Sequence, residues 1–318
     1  MMEKPRLSIC IPTYNRAAYL EKCLEAIVTQ EGFDHRVEVV ISDNCSTDNT
    51  QAVGMKYQTE YKNIHYFRNS ENLRDANFPL SLRRASGALR KLTNDTLVYR
   101  PGAVAYMLQA VEEQMDARPR PQLYFLSSGK LDMDKKKLST LEDYIGTVNF
   151  NLTWIRSLAI WEEDCEDLDM MTEKADTRLA QVPFLIENFQ KHRGAVICDR
   201  PVMASADPPK KDLSYGIYHV FYETFLGLLQ GYVDSGAISG ECYEGVRKEL
   251  LMKFFTEWIV LWELDRNQFV FSEENLRGLV EEAYRNEPYF REYKKRLMLC
   301  RTKARVRIIL RKVKRALR

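Results

Sequence analysis

Short apolar runs alternate with amphipathic stretches from residue 7 to residue 198. The runs predict six strands, at residues 7–11, 37–41, 64–67, 88–92, 122–126 and 195–198. The stretches between the strands carry apolar residues at helical spacing, and the first of these helices is predicted to begin at Asn15 as its N-cap. Its predicted buried face consists of Leu20, Cys23, Leu24 and Ile27. Alternating strands and helices form right-handed crossovers in a largely parallel sheet, so we expect an α/β fold.

The pattern changes near residue 206, where an Asp-Pro-Pro-Lys-Lys segment predicts a linker. Beyond it, the apolar residues follow a helical period in three long stretches, at residues 215–232, 242–264 and 273–284. These stretches predict an all-helical appendage. We therefore predict three parts of the chain, at residues 1–205, 206–300 and 301–318.

Composition narrows the class of protein. The chain has 318 residues, of which 45% are hydrophobic and 29% charged, and its formal net charge is +2. This charge gives no sign of a nucleic-acid partner. No apolar run is long enough to span a membrane and the N-terminus lacks a secretory signal, so we expect a cytoplasmic protein. The seven cysteines show no CxxC spacing, which argues against a zinc site and suits reduced thiols.

Asp95 is the first candidate for chemistry. It follows the predicted strand at residues 88–92 and precedes a helix entry at Pro101-Gly102. Ligands bind at the carboxyl ends of strands in open α/β sheets, so a carboxylate at this place could hold a divalent metal against a phosphate. It could equally cap the following helix. The residues alone leave both roles open.

Three stretches together resemble a family 2 glycosyltransferase with the GT-A fold. They read LSICIPTYNRAAYLEKCLEAI at residues 7–27, VVISDNCSTDNT at 39–50, and NLRDANFPLSLRRASG at 72–87 leading into LTNDTLVYRPGAV. The resemblance covers about the first hundred residues. Within the family, the chain is similar to the bacterial glycosyltransferases that build capsule and O-antigen polysaccharides. It implies an inverting transferase that uses a nucleotide-sugar donor.

The resemblance assigns roles in donor binding to the turn after the first strand. Tyr14 matches the aromatic residue that contacts the donor's base, with Pro12 and Thr13 beside it, and Asp43 matches the acid that accepts a hydrogen bond from uracil. This implies UDP as the carrier of the sugar. The alternatives are that Tyr14 packs the turn and that Asp43 caps the following helix.

Family members carry an Asp-x-Asp or a run of acids where this chain has Thr-Asn-Asp-Thr. Asp95 matches the position that coordinates Mg²⁺ or Mn²⁺, and Asn94 can hydrogen-bond a ribose hydroxyl. Arg74 stands where the family often has Gly and belongs to a basic segment over residues 68–91. We expect one or two of these cations to replace part of the acid-and-metal machinery at the donor's diphosphate.

Inverting transfer needs a carboxylate base that takes the proton of the acceptor hydroxyl. The candidates in the acceptor half are Glu163, Asp164 and Asp176, and the sequence does not choose between them. The competing hypothesis is a GT-A-like protein that has lost catalysis and binds nucleotide or glycan, or acts as a scaffold.

Nine of the last eighteen residues, from Arg301 to Arg318, are Lys or Arg and none is acidic. Apolar residues from Val306 onward fall on one predicted helical face, namely Val306, Ile309, Leu310, Val313 and Leu317. Such a helix suits an anionic membrane surface, and the resemblance implies a glycan or lipid-linked glycan acceptor at the inner leaflet. A solvated tail, or a helix packed on the appendage, fits the same pattern.

Overall fold

The first part of the chain folds around a mainly parallel sheet. The structure is a computed structural model, which describes residues 4–131, 133–205, 211–264, 269–273 and 275–316. The strands and helices up to residue 205 are β1 (Leu7–Thr13), α1 (Ala17–Val28), β2 (Val37–Asp43), α2 (Thr50–Glu60), β3 (Ile64–Arg68), α3 (Asn77–Arg83), β4 (Leu89–Leu92), β5 (Leu97–Tyr99), α4 (Ala103–Glu112), β6 (Gln122–Phe125), β7 (Lys135–Leu138), α5 (Leu141–Val148), β8 (Ala159–Trp161), α6 (Asp169–Glu173), α7 (Gln181–His192), β9 (Ala195–Cys198) and β10 (Met203–Ser205). The chain divides into two compact units, Met1–Tyr144 with Asn151–Pro208 and Ile145–Phe150 with Pro209–Arg318.

The main sheet has the strand order β3-β2-β1-β4-β8. Strands β1 to β4 are parallel and β8 runs antiparallel to β4. The predicted α/β class and mainly parallel sheet are therefore confirmed, and α1 buries the predicted face of Leu20, Cys23, Leu24 and Ile27. From β1 the chain passes to β2 and β3 on one side and then returns to β4 on the other side of β1. The strand order therefore reverses between β1 and β4, and open α/β sheets bind ligands in the crevice at the carboxyl ends of such a strand pair.

Two smaller sheets complete the strands of the first unit. One has the order β6-β9-β7, in which β6 is parallel and β7 antiparallel to β9. The other pairs β10 with β5 in antiparallel fashion. Strand β5 follows Asp95 closely, so this pairing fixes the chain just beyond the predicted metal ligand.

Helices make up most of the second unit. Its elements are β11 (Lys211–Leu213), α8 (Phe225–Asp234), α9 (Gly240–Glu249), α10 (Thr256–Leu264), β12 (Phe269–Phe271), α11 (Leu276–Tyr284) and α12 (Phe290–Ala316), with π-helical turns at His219–Thr224 and Leu250–Phe255. The prediction of an all-helical appendage was wrong in one respect, because β11 and β12 pair in parallel. Each strand has only three residues, which is too short to interrupt a helical pattern visibly, and the Lys-Asp-Leu sequence of β11 has no β-strand preference that could have indicated it. Residues 206–210 of the predicted linker lie outside the described residues, and its last residue, Lys211, is the first residue of β11.

One further local prediction failed, and four strands of the first unit (β5, β7, β8 and β10) were not predicted. Asn15 is not the N-cap of α1, because its backbone adopts φ 51° and the cap position is Arg16. Its side-chain Oδ1 instead accepts a hydrogen bond from the backbone N–H of Thr47 at 2.7 Å. Both errors concern contacts with distant segments, which local periodicity does not encode.

None of the helices in the described part of the chain is both long and apolar enough to cross a membrane. All seven cysteines are free thiols, as predicted, and Cys10, Cys23 and Cys198 are buried. Burial raises the pKa of these three thiols well above its ordinary value, so they stay protonated and behave as small apolar side chains.

Strand β4 contains a fully buried lysine. The Nζ of Lys91 donates hydrogen bonds to the carbonyl oxygens of Leu92 (2.8 Å) and Arg156 (2.9 Å) and to Thr93 Oγ1 (3.3 Å). Burial, assisted by the charge of Arg156, lowers the pKa of Lys91 to about 7. The side chain thus ties β4 to the turn before β8, at the cost of holding an amine in an apolar environment.

Replacing Lys91 with Met is expected to change how stability depends on pH. In the unfolded chain the lysine keeps its ordinary pKa of 10.5, so between pH 7 and that value the unfolded state binds more protons than the native state. Stability from this group therefore rises with pH, and between about pH 7.5 and pH 9.5 the wild type should gain about 2 kcal/mol relative to Lys91→Met.

Urea unfolding at the two pH values measures this difference. Lys22, which is exposed on α1, is the control position, and Lys22→Met should follow the wild type at both pH values. Parallel pH slopes for wild type and Lys91→Met would show that the buried amine does not titrate in this range.

Candidate active site

The turns after β1 and β2 are joined by hydrogen bonds at the carboxyl edge of the sheet. The carbonyl oxygen of Thr13 accepts from the backbone N–H of Asn44 at 2.9 Å, and the backbone N–H of Asn15 donates to Ser46 Oγ at 2.9 Å. Tyr14 lies between these anchored residues and is 43% exposed. A rigid turn therefore presents a flat aromatic side chain to solvent beside the end of β2.

Asp43, the last residue of β2, is fully buried. Its Oδ2 accepts a hydrogen bond from the Tyr66 hydroxyl at 2.6 Å and its Oδ1 accepts from the backbone N–H of Ser46 at 3.0 Å. Burial, together with this carboxylate, raises the pKa of Tyr66 above its ordinary value. Asp43 thus fixes the shape of the turn that follows β2, and Arg68 Nε lies 3.9 Å from its Oδ2.

Asp95 lies just beyond the end of β4 and is 2% exposed. Its Oδ2 accepts from Thr13 Oγ1 at 2.8 Å, and its Oδ1 accepts from a guanidinium nitrogen of Arg16 at 3.0 Å. Burial raises the pKa of Asp95, while Arg16 and Thr13 act in the opposite direction. Asn94, which is half-buried, immediately precedes it.

Arg16 is the cation that contacts Asp95, and the sequence did not reveal it. The predicted basic residues lie elsewhere: Arg74 is exposed in a short 3₁₀ turn with φ 51°, and Lys91 is buried inside the sheet. Arg83 pairs with Asp169 at 2.7 Å. Arg16 reaches Asp95 because β1 and β4 are neighbours in the sheet, and the sequence pattern did not establish this pairing.

A divalent metal fits at Asp95 under one condition. Among the residues that the structure describes, no three His, Cys, Asp or Glu side chains come together as ligands. Asp95 is therefore a single carboxylate donor, and its Oδ1 is taken by Arg16. Such an arrangement suits a metal held by one carboxylate, by phosphate oxygens of a substrate and by water, once the guanidinium has moved away.

A network of asparagines, of which Asn44 and Asn69 are buried and Asn72 is exposed, sets the position of Arg74. Asn44 Nδ2 donates to Asn72 Oδ1 (2.8 Å) and to the carbonyl oxygen of Arg74 (3.2 Å), while Asn44 Oδ1 accepts from Asn69 Nδ2 (2.9 Å). The turn at Arg74 is thereby attached to the end of β2. Its neighbour Asp75 consequently lies on the carboxyl side of the sheet.

Asp176 lies close to this turn. Arg178 pairs with Asp75 at 3.5 Å, and the charge of Asp176 acts on the same carboxyl group. Burial raises the pKa of Asp75, against the opposing charges of Arg178 and Arg74. Asp176 was among the predicted bases and Asp75 was not. The one feature of the sequence that pointed to Asp75 is its position in the NLRDANF stretch, which is part of the family resemblance.

Glu163 and Asp164 lie at the opposite edge of the sheet. Because β8 is antiparallel to β4, its last residue Trp161 pairs with Leu89, the first residue of β4. The two acids follow Trp161 and so emerge at the amino edge, away from Thr13 and Asp95. The structure does not bring these two base candidates to the crevice, and the reason is the unpredicted direction of β8.

Asp164 has a structural role at that edge. It is fully buried, and His192 Nε2 lies 2.9 Å and Lys191 Nζ 3.0 Å from its Oδ1, while its Oδ2 accepts from the backbone N–H of Trp161 at 3.0 Å. Burial alone would raise the pKa of Asp164, but His192 and Lys191 hold it below its ordinary value. This carboxylate joins β8 to α7.

Residues 8–137 match the family model described as Glycosyl transferase family 2. Abequosyltransferase RfbV of Salmonella typhimurium is 47% identical over 83 residues, which are 26% of this chain and 25% of that protein. The Campylobacter jejuni GalNAc(5)-diNAcBac-PP-undecaprenol beta-1,3-glucosyltransferase is 32% identical over 111 residues, which are 34% of this chain and 35% of that protein. The chain thus spans about a third or less of the length of these relatives.

Solved structures resemble the chain over most of its length. S. aureus TarS 1-349, in complex with UDP-GlcNAc, has a TM-score of 0.55 and 14% identity, covering 93% of this chain and 89% of that one. Mannosyltransferase PcManGT from Pyrobaculum calidifontis, in complex with GDP-Man and Mn²⁺, has a TM-score of 0.50 and 15% identity, covering 94% of this chain and 88% of that one. The likeness confirms the predicted GT-A fold.

Proposed function

We propose that the protein transfers a sugar from a nucleotide-sugar donor to a hydroxyl of a glycan acceptor, because residues 8–137 match the family model of glycosyl transferase family 2. The observation that carries the proposal is the position of Asp95. A buried carboxylate lies beyond β4, next to the end of β1, with Thr13 and Arg16 directed at it. An exposed aromatic ring on the neighbouring turn supplies the second element that a nucleotide needs.

The donor's base stacks on Tyr14, beside Pro12 and Thr13. Asp43 holds the turn that borders the base, and its carboxylate accepts the uracil N–H, which makes UDP the preferred carrier. Asn94 hydrogen-bonds the ribose.

The diphosphate lies at Asp95, and Arg16 is the cation nearest to that carboxylate. As the donor enters, the guanidinium of Arg16 turns from Asp95 to the phosphate oxygens, with which it pairs bidentately. Arg74 adds positive charge at the rim. A bound Mg²⁺ or Mn²⁺ would be held by Asp95 and would neutralise the charge that develops on the leaving diphosphate.

The reaction is a single displacement. The acceptor oxygen bonds to the anomeric carbon, the bond from that carbon to the diphosphate oxygen breaks, and the configuration inverts. The acceptor proton goes to a carboxylate base, for which Asp176 is the predicted candidate on the carboxyl side of the sheet. The nearby Asp75, whose pKa is raised by burial, is the alternative acceptor of that proton.

The acceptor is a glycan or a lipid-linked glycan in surface polysaccharide synthesis. The name of the Campylobacter relative describes an undecaprenol-diphosphate-linked acceptor, which supports the lipid-linked form. A cytoplasmic protein attached to the inner face of the membrane would meet such an acceptor.

A second candidate function is binding without catalysis. Both oxygens of Asp95 are already hydrogen-bonded, and this observation is the one that favours a nucleotide- or glycan-binding or scaffold protein. Turnover of a nucleotide sugar separates the two candidates. If UDP affinity is the same with and without Mn²⁺, and no donor is hydrolysed or used for transfer, the results would favour binding without catalysis.

Replacing Tyr14 with Ala is expected to weaken UDP binding about tenfold or more, because stacking of a base on an aromatic ring contributes about 1–3 kcal/mol. Tyr14→Phe retains the ring and should bind UDP as the wild type does. Isothermal titration calorimetry with UDP, with and without Mn²⁺, measures the effect.

Met55 on α2 provides the control, since its exposure of 45% matches the 43% of Tyr14. Met55→Ala should leave UDP affinity unchanged. Equal affinity of Tyr14→Ala and the wild type would mean that the ring only packs the turn.

A further inference from the structure

Helix α12 is packed along one side. Tyr293 and Leu297 are 0% and 2% exposed on this side. Farther along, Arg301 pairs with Glu263 of α10 at 2.7 Å, and the half-buried Ala304 and Ile308 continue the same side of the helix. These contacts fix the rotation of α12 about its own axis, so the side opposite Tyr293 and Leu297 faces away from the packed side.

From Met298 onward, the opposite side of α12 is exposed and mainly apolar, with Thr302 as a polar residue within it. Of the eleven large apolar side chains exposed in the described part of the chain, five belong to this side: Met298 (65%), Leu299 (53%), Val306 (50%), Ile309 (59%) and Leu310 (55%). At 100° per residue these positions form one stripe, turned away from Tyr293 and Leu297. We call these five residues the outer stripe. Val313 and Leu317, also predicted on an apolar face, lie outside the described side chains.

Basic side chains border the outer stripe on both sides. Lys303 and Arg307 lie along one border and Arg305 along the other, and all three are exposed. None of the three forms an ion pair with any residue that the structure describes. The sequence contains no acidic residue after Glu292. The charge of this part of the helix is thus uncompensated by its own chain.

An anionic lipid surface matches both properties. Apolar side chains enter the boundary between head groups and acyl chains, while the bordering Lys and Arg side chains reach the phosphates. A second copy of the chain would bring two strongly basic helices together, which like charges oppose. A nucleic acid would leave the apolar stripe unburied.

We propose that the outer stripe of α12 and its basic borders bind an anionic membrane surface, with the helix lying in the plane of the interface. This inference stands on the helix alone and holds whether or not the proposed transferase activity is correct. It would keep the protein at the membrane surface.

Co-sedimentation of the full chain with lipid vesicles tests the proposal. Vesicles of phosphatidylcholine with about 30% phosphatidylglycerol should bind the protein at least about tenfold more tightly than phosphatidylcholine alone, and added salt should weaken this binding. Ile309→Glu places a negative charge in the outer stripe and should reduce the binding about tenfold or more.

Leu279→Glu is the matched control, because Leu279 is an exposed apolar residue (40%) of the same unit on α11. This variant should bind vesicles as the wild type does, and circular dichroism should show unchanged helix content for both variants. Equal binding of wild type and Ile309→Glu, or equal binding to neutral and anionic vesicles, would overturn the proposal. Self-association of the wild type that Ile309→Glu abolishes, without vesicle binding, would overturn it too, by assigning the stripe to a second copy.

Discussion

Asp95→Asn is expected to reduce sugar transfer at least about 100-fold while leaving the fold intact. In the proposed function Asp95 is the carboxylate that faces the diphosphate, and removing a group that organises charge at a leaving group costs about two to three orders of magnitude in rate. Asparagine has the same shape, and its amide oxygen still accepts the hydrogen bond from Thr13, while its NH₂ group replaces the oxygen that accepted from Arg16. Arg16 is partly exposed (46%), so its guanidinium can turn to solvent. Because burial raises the pKa of Asp95, the folded state gains little from its charge, and a neutral side chain should be tolerated.

Initial rates of donor hydrolysis and of transfer, with thermal unfolding as a check on the fold, measure this effect. Asp169→Asn is the control, since Asp169 is an exposed carboxylate (72%) that also pairs with an arginine. Its activity should stay close to that of the wild type. Full activity of Asp95→Asn would leave this carboxylate with a purely structural role and remove the main support for the transferase.

The sequence predicted that Thr13, Asp43 and Asp95 lie at the same edge of the sheet, because this arrangement depends on two local properties. Apolar runs mark where strands end, and parallel strands bring their carboxyl ends to one edge. Thr13 and Asp43 consequently pair in register, and Asp95 joins Thr13 across the β1–β4 boundary. The roles of these residues in donor binding stay predictions.

The acceptor half was harder because its geometry depends on the direction of one short strand. Strand β8 has only three residues, and nothing in an Ala-Ile-Trp segment indicates whether it runs with or against β4. Its antiparallel direction moves Glu163 and Asp164 to the far edge. The contact of Arg16 with Asp95 and the cluster of Asp75 with Arg178 are likewise tertiary, and no spacing in the sequence encodes them.

Asp176→Asn is expected to lower kcat about 100-fold or more without changing UDP affinity. A general base contributes about two to four orders of magnitude, and it acts only on the acceptor proton, so donor binding should not depend on it. Of the three predicted bases, Asp176 alone lies near the turn that Asn44 attaches to the donor edge.

The decisive comparison uses three conservative variants under the same conditions. Glu163→Gln should retain nearly full activity, because Glu163 emerges at the amino edge beside the end of β8. Asp75→Asn tests the neighbouring carboxyl group, whose raised pKa makes it the competing base. A large loss of kcat in Asp75→Asn with full activity in Asp176→Asn would assign the proton to Asp75. A loss confined to Glu163→Gln would instead require the acceptor to approach from the amino edge, which the separation of the two edges by the sheet itself opposes.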